Sequence, residues 1–517
     1  MERFVARHAP LVTCVVSGFD RLVLRGTLLP LVRERGMHTF LSRARVLLLE
    51  FKDFAFRTSE RVKEAALAEA ERNRRPVRYL ESSGTSKEDL ARRLLAEHPL
   101  EEPGLICAFK TVEPCMSFEY HRSPCPQERG LRLRPRKCLH IYHYLIHPIF
   151  GFMNVRLQTW FPFNIQVCLN GREWLGRQLQ RRRSGFQRAD NCFVQLANPK
   201  LAQRLMDQQL DTEWPAALSA IARRVNPLHD QIFEPWRMEY YWSAYQTEWA
   251  TDLLFKDPAA LAAIYPALVR HAVEHFKSPD VMRFLGRKLH GNFKGELTSS
   301  FKKRLEGVRV KHWAHGNSVK MYDKAGCVLR VETTLARTTD FKVLRPQRDD
   351  DPEARLLWKP LRKGVADLHR RAEISQRSNV RYLDALAAVD DTTPCSHLFD
   401  AVARPVIDHG RRFRALRLAD PADLALLETV SRGEFAIAGL RNRDLRTHLY
   451  PRPKTPTDLR RLTGKVSRQL RLLRAHGVIR KVPKTHRYQL TAKGRLLTAA
   501  LRATRDASLK QLLRDAA

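Results

Sequence analysis

Two spacings of apolar residues, one near helical period and one alternating, divide this chain. Leu11–Gly26 (Leu-Val-Thr-Cys-Val-Val-Ser-Gly-Phe-Asp-Arg-Leu-Val-Leu-Arg-Gly) predicts a strand, a turn at Ser17-Gly18, and a second strand or helix entry. Leu41–Asn73 follows at helical period, rich in Ala, Leu, Glu and Arg. Val77–Leu80 predicts a short strand, and Ser86 caps a helix with Asp89 at the capping-box position. Between Leu105 and Gly171 the pattern becomes strand-like, clearest in Val155-Arg-Leu-Gln-Thr-Trp, where Arg156, Gln158 and Trp160 share a face. Asn198–Phe255 and Pro258–Leu289 read as mostly helical, Gly307–Val343 as β-rich, and Trp358–Val389 as helical again.

The last hundred residues carry the sharpest pattern. Val466, Leu470 and Leu473 fall at i, i+4 and i+7 and predict one buried helix face, with Arg468 and Arg471 on the opposite side. His476-Gly477 ends that helix, Val478-Ile479 begins a strand, and Pro483-Lys484-Thr485-His486 makes a basic turn. Arg487-Tyr488-Gln489-Leu490 returns as a second strand. A basic helix followed by a basic hairpin is how a winged helix-turn-helix meets a duplex, with the helix in the major groove and the wing on the phosphates. The fold class expected is therefore α/β of the α+β kind: a central β-rich platform with helices, and a C-terminal winged helix-turn-helix. The boundaries fall at 1–104, 105–255 and 256–392, then a linker at 393–420 and the winged helix at 421–517.

Charge sharpens the expectation of a partner. The 517 residues hold 92 Lys and Arg against 55 Asp and Glu, a net charge of +37. Thr463–Ala500 has ten basic residues and no acidic one. Such a chain attracts polyanions through counterion release, so duplex DNA is the expected partner and structured RNA the alternative. No apolar run approaches the ~18 residues of a membrane span, and the charged Met1–Ala9 does not read as a signal peptide. Nine cysteines without regular spacing read as reduced thiols. A cytoplasmic, nucleoid-associated protein is expected.

Three segments could carry chemistry. In Arg309–Thr334, alternation puts Lys320, Tyr322 and Lys324 on one face of a strand and Arg330 with Glu332 on one face of the next. That set offers a phenol, a carboxylate for a metal and cations for phosphate, and it assigns Tyr322, Lys324 and Glu332 as catalytic; an ordinary amphipathic hairpin gives the same pattern. The run Cys125…Cys138-Leu-His140-Ile-Tyr-His143-Tyr-Leu-Ile-His147 would, as a helix, bring three imidazoles to one side. It lacks the paired short spacings of structural zinc, and with Arg136, Tyr142 and Tyr144 it suits nucleic-acid contact as well. Third, Glu248 and Asp252, read on a helix at i, i+4, would hold Mg²⁺ or Mn²⁺ with Glu239 or Glu296, and Asp20 is another carboxylate able to join them. Walker, dinucleotide-binding, H-E-x-x-H and G-x-S-x-G motifs are absent, which argues against ATP-driven and serine-hydrolase chemistry.

The Tyr322-Asp323-Lys324…Arg330-Val331-Glu332 arrangement resembles the strands around the nicking site of rolling-circle replication initiators. That resemblance implies a tyrosine attacking a DNA phosphate beside a divalent metal. The chain departs from the family in having no tyrosine shortly after Arg-x-Glu, where Phe341 stands alone, and no His-hydrophobic-His motif nearby. More broadly, Ser17-Gly-Phe-Asp-Arg-Leu, Gln158-Thr-Trp-Phe-Pro-Phe163, Asn170-Gly-Arg-Glu-Trp174, Asn317–Lys324 and Arg362-Lys-Gly-Val-Ala-Asp resemble a bacterial family carried in several copies per genome, in the manner of mobile elements.

The expected function is nucleic-acid binding for a mobile element, in its sharper form as a metal-dependent nuclease that nicks or transposes. Lys465, Arg468, Arg471, Arg474, Lys484 and Arg487 would hold the duplex. A non-enzymatic winged-helix regulator, or an RNA partner stacking bases on Tyr142, Tyr144 and Trp160, remain the alternatives.

Overall fold

The structure, a computed structural model, describes residues 1–81, 84–123, 125, 129–276, 278–286, 297–304, 307–339, 341–347, 355–387, 395–435, 439–483 and 485–506. Its strands in chain order begin with β1 (Val12–Leu28), β2 (Val77–Tyr79), β3 (Leu105–His121), β4 (Gly130–His147), β5 (Gly151–Gln158) and β6 (Ile165–Asn170). A small hairpin, β7 (Phe186–Ala189) and β8 (Cys192–Leu196), precedes β9 (Tyr240–Phe255). The series continues with β10 (Leu297–Arg304), β11 (Gly307–Ala314), β12 (Asn317–Lys324) and β13 (Val328–Leu335).

Eleven of these strands form one sheet in the order β10-β11-β12-β13-β9-β1-β6-β5-β4-β3-β2, antiparallel except for β2 beside β3. The fold is mixed α/β, and strands from 1–104, 105–255 and 256–392 all enter this sheet. Its centre is β1, flanked by β9 and β6, which arrive from much later in the chain.

Helices Glu34–Arg43, Phe51–Arg72, Trp214–Val225, Pro258–Glu274, Ser278–Phe284 and Leu368–Leu386 lie on one face. They bury the apolar rungs, including Leu22, Leu24, Val155, Leu157, Val167 and Trp249. The other face is covered only in part. Lys87–Glu97 packs at the β3–β4 end, and Gly171–Arg181 and Pro199–Gln208 pack near β1 with the β7–β8 hairpin. Between these covers the sheet presents polar side chains.

Three expectations are corrected here. Leu11–Gly26 belongs to one continuous strand rather than a strand-turn-strand, because Ser17 and Gly18 pair with Thr251 and Ala250. Gly18 serves packing instead: a Cβ there would lie 1.9 Å from Met206 Cε. Tyr240–Phe255 is a strand, not a helix. A central strand buried on both faces loses its alternation, so Trp249–Phe255 gives no period of 2 to read. His140, His143 and His147 lie on β4, where a spacing of three sends His140 and His143 to opposite faces.

The C-terminal part runs helix Pro421–Val430, helix Asn442–Leu449, helix Pro456–Ala475, the paired strands Ile479–Lys481 and Tyr488–Leu490, and helix Ala492–Asp506. Thr455 caps the long helix by accepting from the Asp458 amide at 3.1 Å. Val466, Leu470 and Leu473 pack with Leu426, Leu445, Ile479 and Leu497 in a separate core. Val402 and Leu416, from the segment expected as a linker, join that core.

Candidate metal centre

Asp20 owes its position to a β-bulge. Phe19 pairs with Trp249 and Arg21 with Glu248, so Asp20 is the extra residue in β1, a device that re-aims a side chain. Glu332 on β13 lies opposite Ala250 of β9, which in turn faces Gly18 of β1. The two small residues leave room on the rung that Glu332 occupies. Oxygen atoms of Asp20, Glu248 and Glu332 thus lie within 4.8 Å of one another. Asp20 and Glu332 are buried, and Glu248 is half-buried on the open side.

A network of cations fixes the surroundings. Arg330, 1 % exposed, donates to Asp252 through Nε and Nη2 at 2.6 and 2.8 Å. Its Nη1 donates to Asp20 at 2.9 Å and its Nη2 to the Asn191 carbonyl at 2.8 Å. Arg172, at the start of helix Gly171–Arg181, pairs with Asp252 from the other side at 2.9 Å. Asn170 caps that helix, and Gly171 lets it approach β1, since a Cβ there would lie 1.8 Å from the Phe19 carbonyl oxygen. Asn191, in the β7–β8 turn, donates to Asp20 at 2.9 Å. Lys320 Nζ lies 2.6 Å from Glu332, and the Tyr322 hydroxyl donates to the same carboxylate at 2.9 Å.

Asp20, Asp252, Glu248 and Glu332 meet Arg172, Arg330 and Lys320, with Arg21 and Lys311 also acting on Glu248, whose one hydrogen-bond partner among the described residues is Gln246. Burial raises the pKa of Glu332, with Lys320 opposing and Glu248 adding to the rise. Burial likewise raises Asp20 against the pull of Arg330. Asp252 is also buried, yet Arg172 and Arg330 outweigh that and hold it below the usual carboxylate range. Burial and the Glu332 charge push the Tyr322 phenol well above its ordinary value. Clustered buried carboxyls with raised pKa values, whose neighbouring cations offset only part of that rise, are the electrostatics that a bound cation would relieve. The donor set is all oxygen, and it could hold a metal ion.

The expected site residues are distributed as follows. Glu332 and Glu248 converge with Asp20. Asp252 lies on the same face, but both its oxygens are taken by arginines, so it orients Arg330 rather than facing the carboxylate cluster. Glu239 is exposed and pairs with Arg223 at 2.7 Å, while Glu296 lies outside the described residues. Tyr322 adjoins the cluster, and Lys324 points away to Asp190 at 2.5 Å. Arg172 and Asn191 were not assigned from sequence, because their partners are fixed by pairings across distant strands, and Lys320, read as a cation for phosphate, pairs with Glu332 across its own hairpin.

Elsewhere, Tyr142 donates to Glu113 at 2.9 Å and is half-buried, Tyr144 is 4 % exposed, and Arg136 is exposed beside Glu119 at 3.3 Å. Tyr144 is closed to base stacking. His140 and His143 are buried, and each donates a ring N–H to a carbonyl, that of Cys138 (3.1 Å) and of Ala66 (2.8 Å), as core histidines do. In the C-terminal part, Arg468, Arg471 and Arg474 are exposed on one helix, as is Lys465, whose Nζ lies 4.8 Å from the Tyr450 ring centroid. Arg487 faces inward, over the Trp358 ring at 4.5 Å and bonded to the Gly439 carbonyl at 3.2 Å. Lys484 lies outside the described residues.

The face around the carboxylates bears Arg21, Arg25, Arg156, Lys311 and Lys320, with two exposed aromatics. Tyr245 is 52 % exposed under Arg25 at 4.6 Å, and Trp313 is 41 % exposed on the rung that continues through Ser318 and Thr334 to Glu248. No family model, curated protein or solved structure matches this chain. No helix among the described residues is long and apolar enough to cross a membrane.

Proposed function

We propose that the protein is a metal-dependent nucleic-acid-processing enzyme that cleaves a phosphodiester on the open face of the sheet. The observation that carries this reading is the convergence of Asp20, Glu248 and Glu332, from three adjacent strands, into one all-oxygen site. A divalent cation bound there would supply charge stabilisation to a phosphate undergoing attack. The surrounding Arg21, Arg25, Lys311 and Arg156 favour a polyanionic strand, and Tyr245 and Trp313 offer faces on which bases stack.

Tyr322 is the nucleophile this reading assigns. As its Oη bonds to phosphorus, the phosphorus–oxygen bond to the leaving strand breaks, the phenolic proton passes to Glu332 at 2.9 Å, and the leaving oxygen is protonated by solvent. Its raised pKa keeps the phenol neutral at rest, so attack requires that proton acceptor. Arg330 is a positioning residue, holding Asp20 from behind. The C-terminal helix–hairpin unit, read as a winged helix, would bring duplex DNA through Lys465, Arg468, Arg471 and Arg474. Service to a mobile element is part of the same proposal.

The test is incubation with labelled duplex DNA, single-stranded DNA and structured RNA, with Mg²⁺, Mn²⁺ or EDTA. Cleavage that needs metal, is lost in Asp20→Asn and Glu332→Gln, and leaves a protease-sensitive adduct absent from Tyr322→Phe is the expected result. Cleavage without an adduct would replace Tyr322 by water as nucleophile. Tight binding with every strand intact would overturn the enzymatic reading in favour of a winged-helix regulator.

A further inference from the structure

A cavity of about 230 Å³ lies at the seam between the sheet and the C-terminal unit, away from the carboxylate cluster. Arg283, Arg377 and Arg381 enter it from the sheet side, and Arg480 and Arg495 from the C-terminal side. Three of these arginines already have acidic partners: Arg283 with Asp280 at 3.5 Å, Arg495 with Asp384 at 2.9 Å, and Arg377 with Glu373. Arg381 makes no direct ion pair among the described residues, and Asp384 acts on it only without contact. It is 8 % exposed, and its Nε and Nη2 share a single carbonyl, that of Phe284, at 3.1 and 2.6 Å. Burial, with Arg495 and Arg377 adding like charge, lowers its pKa to about 9. Arg495 Nε is buried without a hydrogen-bond partner.

A buried guanidinium whose direct partner is a single carbonyl is costly unless an anion completes it. Arginines converging from two sides match the oxygens of phosphate groups through paired N–H donors, which a single carboxylate would not saturate. The lining is closed by Phe435 and Tyr488, apolar surface against which a ring can pack.

We propose that this seam cavity binds a small polyphosphate anion, in the class of pyrophosphate or a nucleoside di- or triphosphate, and that the bound anion clamps the C-terminal unit to the sheet. The seam is otherwise held by few links. Arg283 Nε donates to the Ser431 carbonyl at 2.9 Å, and Arg502 and Arg495 reach Asp280 and Asp384. An anion touching Arg381 and Arg480 together adds a link that depends on a diffusible ligand, so the position of the DNA-binding unit becomes responsive to it.

The full chain, in EDTA so that no metal contributes, is titrated with inorganic pyrophosphate and with orthophosphate, using sulfate at matched ionic strength as control. Calorimetry gives affinity and thermal unfolding gives stabilisation. Pyrophosphate binding is expected to raise the melting midpoint, to exceed sulfate at least tenfold in affinity, and to weaken at least tenfold in Arg480→Ala and in Arg381→Met. Arg480 is exposed on a short strand, so its variant keeps the test valid where Arg381→Met fails to fold. Arg468→Ala/Arg471→Ala is expected to leave the affinity unchanged. Equal affinities in wild type and Arg480→Ala, or equal binding of sulfate and pyrophosphate, would overturn the proposal. Displacement of pyrophosphate by a short DNA duplex, lost in Arg480→Ala, would assign the phosphate chemistry to the nucleic-acid backbone and overturn the small-ligand reading.

Discussion

Replacing Arg330 by Met tests whether the carboxylate cluster is held by one buried cation. The substitution keeps most of the side-chain volume and removes four charge-assisted contacts: two to Asp252, one to Asp20 and one to the Asn191 carbonyl. Asp252 retains Arg172, but Asp20 is left with only the Asn191 amide. Breaking a buried pair from one side costs about 3–5 kcal/mol, because a charge stays behind without its counter-charge. A Coulomb estimate agrees: at an effective dielectric constant near 20, one unit pair at about 4 Å is worth about 4 kcal/mol. Denaturant unfolding followed by circular dichroism should therefore show a loss of about 3–5 kcal/mol in Arg330→Met. Adding Asp20→Asn removes the stranded charge and should restore about 1–2 kcal/mol of it. A loss below about 1 kcal/mol, or no recovery in the double variant, would refute the electrostatic account of how Asp20 is positioned.

Mn²⁺ binding should strengthen with pH. Asp20 and Glu332 have raised pKa values, so the metal-free fold holds more protons than the unfolded chain and loses stability as pH rises from the ordinary carboxylate range through the raised one. Asp252, lowered, contributes stability above that range and loses it only as pH falls further. The gap between melting midpoints with and without Mn²⁺ should thus widen from about pH 5 to about pH 8, and a constant gap would exclude these carboxyls as ligands. Arg468→Ala/Arg471→Ala should weaken duplex binding and reduce the slope of log affinity against log salt by about 1.8, as two phosphate contacts require; an unchanged slope in filter binding would remove that helix from the interface. Gly171→Ala forces helix Gly171–Arg181 away from the Phe19 carbonyl, so it should cost about 1–3 kcal/mol in unfolding and weaken Mn²⁺ binding through Arg172; wild-type values for both would show that the close approach is not needed.

Some of this was legible before the structure. The β12–β13 hairpin was, because period 2 is intact and Ala325-Gly326, both at positive φ, form its turn. Tyr322, Arg330 and Glu332 follow from that register. Helix Pro456–Ala475 was legible from a single apolar stripe. β9 was not, since burial on both faces erased its alternation, and so Glu248 and Asp252 were read four apart on a helix instead of on one face of a strand. Asp20 was visible as a carboxylate after an apolar run, but the bulge that turns it toward Glu248 depends on strand pairing. The role of Asp252 was hidden for a similar reason. Its partners Arg172 and Arg330 stand 80 and 78 residues away in sequence, and no local pattern announces them.

The strand order also sets a timetable for synthesis. Asp20 emerges from the ribosome early, yet Arg330, which holds it, follows 310 residues later. At about 5–20 residues per second, roughly 15–60 s pass before the cluster can close. Until Tyr240–Phe255 is made, β1 has no β9 along one edge, and a long apolar strand waits for that partner. The same delay leaves any truncated product without the complete cluster: a chain halted before β13 carries Asp20 and Glu248 but not Glu332.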